Sequence, residues 1–146
     1  MKAILQRVQK GSVSVDGKVV GAIERGLVIL VGIGQGDSED QVRELAKKIA
    51  NLRIFPDADG KMNLSILDVG GGALIVPQFT LYADTRRGNR PSFTGAASPS
   101  VASSLVDQFT DALTWLGVST QSGKFGAHML VEIHNDGPVT ISLEVD

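Results

Sequence analysis

The chain has 146 residues, 42% hydrophobic and 21% charged, with a net charge of −2 and no cysteine. This length suits one sizeable core and no linker-like stretch divides it, so a single domain over residues 1–146 is expected, without disulfides or thiolate sites. No apolar run approaches the ~20 residues that span a bilayer and no signal-peptide pattern opens the chain, so a cytoplasmic location away from membranes is expected. The slightly acidic balance gives no global attraction for nucleic acid.

The N-terminal part has the pattern of a β-meander. Short β-rich runs separated by glycine-containing turns cover Ala3–Val8, Ser12–Val15, Lys18–Ile23 and Leu27–Gly32. Asp16-Gly17 between alternating valines is a strong two-residue hairpin signal, because such a turn requires positive φ. Arg7 is the odd residue of the first strand, and the pattern alone indicates a solvated charge on a strand face.

An amphipathic helix is predicted after the loop Gly34–Asp37. Ser38-Glu39-Asp40-Gln41 is a capping-box pattern, and the apolar residues behind it recur at helical spacing. Asn51–Phe55 has the pattern of a strand that ends at Pro56. Asp57-Ala58-Asp59-Gly60 resembles the start of a calcium loop, but the later ligands and the bidentate glutamate are missing, so a polar turn is predicted.

The apolar run Ala73–Leu81 contains Pro77, which cannot donate to a sheet ladder. The strand must therefore lie at an edge or break near Pro77; if it continues, Gln78 and Thr80 share one face. The segment Tyr82–Ser98 is long and irregular and carries Arg86, Arg87 and Arg90. Two interpretations remain open for these arginines, solubility and a local grip on phosphate.

A second amphipathic helix is predicted from Ser98-Pro99 to Gly117, followed by a polar loop over Thr120–Gly126. The last two apolar runs, His128–His134 and Val139–Val145, are predicted to pair as antiparallel strands around Asn135-Asp136-Gly137-Pro138. Gly137 can take positive φ, and a cis peptide bond is accessible before Pro138. The element order predicts an α+β domain, with an antiparallel, barrel-like sheet and two main helices packed on it.

The two histidines, His128 and His134, lie six residues apart in one strand pattern. They lack a third partner and a ligand spacing, so no metal site is predicted. Thr80 as a nucleophile with either histidine as its base is a second hypothesis from the residues alone, and no nucleophile-elbow sequence supports it.

Six short motifs are spread over essentially the whole chain, namely Gln6-Arg7-Val8, Arg53-Ile54-Phe55, Gly60-Lys61-Met62-Asn63, Pro77-Gln78-Phe79-Thr80-Leu81, Arg90-Pro91-Ser92-Phe93 and Asn135-Asp136-Gly137-Pro138-Val139-Thr140. In order and spacing they resemble the D-aminoacyl-tRNA deacylase family. The resemblance implies that family's fold and the hydrolysis of the ester bond of D-aminoacyl-tRNA, releasing free D-amino acid and tRNA. It also implies activity on mischarged glycyl-tRNA, since a site that reads the stereocentre through backbone carbonyls cannot exclude glycine.

The resemblance also implies the parts of the site. Catalysis is expected around the backbone N–H groups of Phe79 and Thr80, with Gln78 beside them. A cis Gly137-Pro138 turn is expected to reject L-substrates in the active site of the other subunit, so the chain is expected to act as a homodimer. Arg7, Asn135 and Thr140 are expected to support the turn. The pocket for the terminal adenosine and the amino acid is expected to be lined by Phe125, Ala127 and Met129. No cofactor or metal is implied.

Pro77 departs from the family pattern, which usually has serine there. A related group of tRNA editors with relaxed chirality carries proline at this place, but it lacks the Arg7 and Asn-Asp-Gly-Pro context. Two alternatives therefore stay open: a relaxed editor that removes L-residues from mischarged tRNA, and a non-catalytic dimer that binds RNA ends.

Overall fold

The computed structural model describes residues 1–146 and contains eight strands, three α-helices and a short 3-10 helix. The strands are β1 (Lys2–Val15), β2 (Lys18–Ile23), β3 (Gly26–Gly32), β4 (Phe55–Pro56), β5 (Met62–Leu64), β6 (Gly72–Pro77), β7 (Ser119–Ser122) and β8 (Leu130–Glu144). The helices are α1 (Glu39–Asn51), α2 (Ile66–Val69) and α3 (Pro99–Trp115), and the 3-10 helix covers Phe79–Tyr82. No helix is long and apolar enough to cross a membrane.

Six of the strands form one curled sheet around β1. Along one edge β1 pairs antiparallel with β8, and along the other it pairs with β3 and then β2. β3 pairs with β6 and β6 with β7, both in parallel. The sheet nearly closes, since its two end strands, β2 and β7, come close together. A Cβ on Gly21 of β2 would lie 3.0 Å from the Ser122 carbonyl oxygen of β7. The predicted α+β class with two main helices is confirmed, but the sheet is mixed rather than antiparallel.

Two apolar clusters fill the two faces of this sheet. The larger one joins the sheet to α1 and α3, with Leu5, Ile29, Leu45 and Phe109 fully buried. The smaller one, which includes Val13, lies on the other face, inside the curl. Where both faces of the sheet are covered, a strand is apolar on both sides, so apolar and polar residues alternate in only part of each strand. Glycines occur where another strand or side chain comes too close for a Cβ.

The hairpin at Asp16-Gly17 and both long helices are confirmed. Asp16 and Gly17 have φ values of 50° and 76°, as a tight hairpin requires. Ser38 caps α1 in a full capping box with Gln41. The predicted break between Ala3–Val8 and Ser12–Val15 is wrong, since both runs belong to β1; Gly11 is needed there because a Cβ would lie 2.7 Å from Val28 Cγ2.

Two further segment predictions are wrong. Asn51–Phe55 is not a strand: α1 continues to Asn51, since burial of Ile49 and Ala50 holds its last turn in place, and β4 begins only at Phe55. Thr120–Gly126 is not entirely a loop, because β7 occupies Ser119–Ser122. Its side chains are polar and largely exposed, and its pairing with β6 satisfies the backbone. Such an edge strand has the composition of a loop.

The last two apolar runs do not pair with each other, contrary to the sequence prediction. Leu130–Glu144 is one strand, β8, which pairs with β1 on both sides of Gly137-Pro138. Pro138 has no N–H to continue the ladder, so the polar residues leave it as a bulge, and the strand is not reversed because β1 offers a continuous edge on both sides. The predicted Gly137-Pro138 turn is thus a bulge in the longest strand pair of the molecule, β1 with β8.

Candidate active site

An apolar cavity of about 580 Å³ opens where β6 ends. Its floor comes from β3, β6 and α3, and its rim from the 3-10 helix and the segment before β8. The three predicted pocket residues line it, namely Phe125, Ala127 and Met129. A volume of this size suits a small organic group, and the mainly apolar lining suits an aromatic or aliphatic one.

Gln78 and Phe79 also line this cavity, whereas Thr80 does not. β6 stops at Pro77, so of the two predicted possibilities the strand breaks at the proline, and Gln78 and Thr80 do not share the face of a strand. They meet instead through the 3-10 helix, where Gln78 Nε2 donates to Thr80 Oγ1. The Gln78 N–H donates to the Val31 carbonyl at 2.8 Å, which fixes the point where the chain leaves the sheet.

The backbone N–H groups of Phe79 and Thr80 open the 3-10 helix. The first N–H groups of a helix have no acceptor inside it, so they are available to a ligand oxygen. Phe79 itself is 60% exposed at the rim, which is unusual for a large apolar side chain. Its ring meets Phe93 edge to face, with 5.1 Å between centroids and 70° between planes.

Phe93 is a cavity residue that the sequence analysis did not assign. It was recognised only as part of the Arg90-Pro91-Ser92-Phe93 motif. The signal that could have found it is a phenylalanine in the middle of a polar, irregular segment, because such a side chain has no nearby core pattern to join and marks a contact surface.

The Gly-Pro bulge lies opposite Arg7. On β1, Gln6 pairs with Thr140 and Val8 with Asn135, so the single residue Arg7 faces the four residues 136–139 of β8. Arg7 is only 9% exposed, which excludes a solvated charge. Its Nε donates to the Asp136 carbonyl at 3.2 Å, and Nη1 donates to the Ile54 carbonyl at 2.7 Å. The guanidinium thus fills the space that the bulge opens.

Asn135 closes the bulge from within. Its Oδ1 accepts from the Val139 N–H at 3.0 Å, and its Nδ2 donates to Thr140 Oγ1 at 3.0 Å. The amide side chain therefore replaces the ladder bonds that the bulged residues cannot make. Asn135 and Thr140, both predicted as supporting residues, meet here.

Gly137 and Pro138 are exposed at the tip of the bulge, and the peptide bond between them is cis. Gly137 has φ = 129°, and a Cβ there would lie 2.9 Å from Val139 Cγ2 and 3.2 Å from Arg7 Nη2. No other residue fits without displacing its neighbours. Neither residue lines the cavity of its own chain.

The histidines are separated in the structure. His128 lines the cavity, while His134 lies in β8 opposite Lys10. Neither histidine hydrogen-bonds to Thr80, whose hydroxyl is engaged by Gln78. The hypothesis of a histidine-activated Thr80 therefore gains no support from the geometry.

A family model described as D-Tyr-tRNA(Tyr) deacylase matches residues 4–144, nearly the whole chain. The chain belongs to this family. A D-aminoacyl-tRNA deacylase of Fervidobacterium nodosum is 57% identical over 144 residues, covering 99% of this chain and 97% of that one. One from Roseiflexus sp. is 60% identical, covering 99% and 93%. Both relatives carry the name D-aminoacyl-tRNA deacylase. Membership of the family makes this protein a deacylase too, a hydrolase of the aminoacyl-tRNA ester bond.

Two solved structures share the fold. A protein described as c-Myc DNA Unwinding Element Binding Protein superposes with a TM-score of 0.95 at 40% identity, covering 100% of this deacylase and 99% of that chain. A probable eukaryotic D-amino acid tRNA deacylase superposes with a TM-score of 0.81 at 18% identity, covering 99% and 98%. At 18% identity the second likeness concerns the fold alone.

Proposed function

We propose that this deacylase hydrolyses D-aminoacyl-tRNA, and also glycyl-tRNA, and that the Gly137-Pro138 bulge rejects L-aminoacyl esters. The observation that carries the proposal is a bulge that is braced from two sides, by Arg7 and by Asn135, and yet exposed at its tip. Backbone that is held this firmly without entering its own core is suited to meet a ligand.

Chirality can be read there without a side-chain pocket. Exchanging D for L at Cα swaps a hydrogen and a side chain, so rigid backbone placed beside Cα admits the hydrogen and clashes with a carbon. Such a site tolerates many D-side chains. It cannot exclude glycine, which carries hydrogen on both sides.

Hydrolysis needs few side chains, because an aminoacyl ester is already reactive. Water adds to the ester carbonyl carbon, and the resulting oxyanion accepts hydrogen bonds from the N–H groups of Phe79 and Thr80. The carbon–oxygen bond to the terminal ribose then breaks, and the ribose oxygen takes up the proton that the water releases. The adjacent ribose hydroxyl is placed to relay that proton. The cavity holds the adenosine and the amino acid.

A second copy of the chain is needed to complete this site. The bulge does not line its own cavity. Two of the apolar side chains that line the cavity are also exposed, Phe79 by 60% and Phe125 by 37%. Apolar exposure of this extent around one opening is typical of a protein interface. We therefore infer a homodimer in which the bulge of one subunit reaches the cavity of the other.

The activity is tested with purified protein and three substrates, D-tyrosyl-, L-tyrosyl- and glycyl-tRNA. Hydrolysis of the D and glycyl esters with L-tyrosyl-tRNA left intact is expected. Cleavage of the L ester at a comparable rate would favour a relaxed editor instead. Binding without cleavage of any of the three would favour a non-catalytic RNA-end-binding dimer.

The shared site is tested by mixing two inactive variants. Ala127→Trp fills the cavity, and Gly137→Ala disrupts the bulge; each alone should be nearly inactive. After subunit exchange half of the dimers are hybrids with one intact site of two, so about a quarter of wild-type activity should return. If the mixture stays inactive although light scattering shows hybrid dimers, the bulge acts within its own chain and the proposal fails.

A further inference from the structure

A second, polar cleft lies in the irregular segment before α3. It has a volume of about 410 Å³ and is lined by Asp84, Arg86, Arg87, Arg90 and Ser92, with no hydrophobic residue. We call it the arginine cleft. The five residues carry three positive charges and one negative charge, in a chain whose net charge is −2. The excess is local, so it is not a consequence of a generally basic surface.

The segment that carries the arginines is closed on itself. Asp84 and Ser92 exchange two backbone hydrogen bonds, at 2.7 and 3.0 Å, and Gly88 at the tip has φ = 67°. Arg86 donates to both carboxylate oxygens of Asp84, at 2.9 and 2.6 Å. The backbone at the base of the segment is therefore fixed, which limits how far the backbone of Arg87 and Arg90 can move.

Arg87 and Arg90 have no partner of opposite charge. The only carboxylate in the cleft is occupied by Arg86, and neither Arg87 nor Arg90 forms an ion pair elsewhere. Two unpaired guanidinium groups that line one cleft repel each other, and a shared anion relieves that repulsion. Guanidinium groups match the geometry of phosphate oxygens better than ammonium groups do.

The residues of the arginine cleft are neighbours in the chain of residues that line the apolar cavity of the candidate active site. Ser92 lines the cleft and the next residue, Phe93, lines the cavity and contacts Phe79. The same stretch of backbone therefore borders both spaces, as a ligand that occupies both would require. The occupant that fits both is one chain with an apolar, aminoacylated end and anionic groups immediately behind it.

We propose that Arg87 and Arg90 bind backbone phosphates of tRNA next to its aminoacylated end. This inference rests on the proposed function, because the cavity must hold the terminal aminoacyl-adenosine for the phosphates to reach the cleft. The arginine cleft holds the RNA behind the reacting ester and takes no part in the chemistry. It therefore affects KM and its dependence on salt, and leaves kcat unchanged.

The test compares two substrates, D-tyrosyl-tRNA and D-tyrosyl-adenosine, which has no phosphate. The double variant Arg87→Gln/Arg90→Gln removes the unpaired arginines and keeps Arg86 to hold the segment. The matched control is Lys47→Gln, which removes an exposed, unpaired positive charge from α1. Folding of each variant is checked by circular dichroism.

For the double variant, KM for D-tyrosyl-tRNA should rise at least about tenfold with kcat unchanged, and the slope of log KM against log salt should fall by about 1 for each arginine. KM for D-tyrosyl-adenosine should stay the same, and Lys47→Gln should resemble wild type. A wild-type KM and salt slope for the double variant would overturn the proposal and leave the proposed function intact.

Binding of deacylated tRNA, measured by fluorescence anisotropy, distinguishes a failure of the proposed esterase activity from a failure of the arginine cleft to bind RNA. If wild-type protein cleaves no ester, the proposed function fails, but a loss of tRNA affinity in the double variant would still support the cleft. If the double variant loses affinity for single-stranded DNA and not for tRNA, the cleft is a DNA site and the proposal is overturned.

Discussion

At the residue scale, Arg7 joins two carbonyl groups that are far apart in the sequence, those of Ile54 and Asp136. Arg7→Ala leaves both carbonyls without this donor, so we expect the free energy of unfolding to fall by about 2 to 4 kcal/mol. The bulge loses its brace, and the ratio of D to L hydrolysis rates should fall at least tenfold, which corresponds to about 1.4 kcal/mol.

The matched control for this prediction is Arg53→Ala. Arg53 also donates to a carbonyl, that of Asn63, but at an exposed position. Its removal should leave the D to L ratio unchanged. An Arg7→Ala protein that stays folded and retains the wild-type ratio would remove Arg7 from the mechanism. The rates are measured in single turnover on D- and L-tyrosyl-tRNA.

Thr80→Ala tests whether the hydroxyl is a nucleophile. We expect kcat to fall by up to about tenfold and not to vanish, since the loss is that of one hydrogen bond and the backbone donors remain. Because Gln78 and Thr80 act as a pair, the double variant Gln78→Ala/Thr80→Ala should lose little more than the worse single variant. Complete loss of turnover with intact substrate binding would instead identify Thr80 as a nucleophile.

Some residues of the candidate site could be predicted from the sequence, and others could not. Phe125, Ala127 and Met129 were expected at one pocket from the family resemblance, although they lie outside the motifs that carry it, and all three line the same cavity. That Arg7 is buried against the bulge could not be derived from periodicity, because a lone arginine in a strand has the same pattern whether or not a partner lies opposite. The partner, Asp136, is more than 120 residues away, and only the register of β1 and β8 brings the two together.

At the element scale, the capped helices were predictable and the pairing of strands was not. Ser38 and Gln41 mark the start of α1 through contacts between neighbours in the sequence. β8 was predicted as a hairpin because turn residues interrupt it, but whether such residues reverse a strand or bulge from it depends on which edge is free. Here β1 supplies a continuous edge on both sides of the bulge.

The ion pair between Asp84 and Arg86 in the arginine cleft should depend on pH only in the acid range. Hydrogen bonds from the Arg86 side chain and N–H lower the pKa of Asp84 from 3.8 to about 2. The lowered pKa means that this pair contributes in full above about pH 4 and is lost as the pH falls through about 2. The charge of the cleft is thus constant at physiological pH.

Carboxyl chemical shifts measured by NMR check this value. The Asp84 resonance should titrate with a midpoint near 2 in the wild-type protein. In an Arg86→Gln variant the midpoint should rise but stay below 3.8, because the backbone N–H of residue 86 still donates to the carboxylate. A wild-type midpoint near 3.8 would show that the ion pair does not form in solution, and the segment would then lack the fixed base that the cleft requires.

At the scale of the whole molecule, one carboxylate joins the N-terminus and the 3-10 helix to the loop before α1. Asp37 accepts from the Met1 amino group at 2.8 Å, the Gly34 N–H at 2.7 Å and the Tyr82 hydroxyl at 3.5 Å. Burial, followed by the nearby Asp37 charge, raises the pKa of Tyr82, which therefore stays a neutral donor. Removing one partner of a buried ion pair typically costs about 3 to 5 kcal/mol, and Asp37→Asn should lower the free energy of unfolding by a comparable amount.

Asp40→Asn is the control, since Asp40 pairs with Arg43 at the exposed surface of α1 and should change stability by less than about 0.5 kcal/mol. Unfolding in urea is followed by circular dichroism, because the one tryptophan, Trp115, is 86% exposed and its emission changes little on unfolding. Equal stabilities of the Asp37→Asn and wild-type proteins would contradict the role of Asp37.

The bulge between Asn135 and Thr140 has a consequence for how this chain can vary over evolution. Beyond it, Ile141 and Leu143 pack against the larger core. A strand shifted by one residue turns every following side chain to the opposite face, so one inserted or deleted residue in the bulge would expose both unless the bulge itself absorbed the change. Exchanges of side chains at exposed positions of β8 carry no such penalty. Lineages of this protein are therefore expected to differ in the composition of this strand far more readily than in its number of residues.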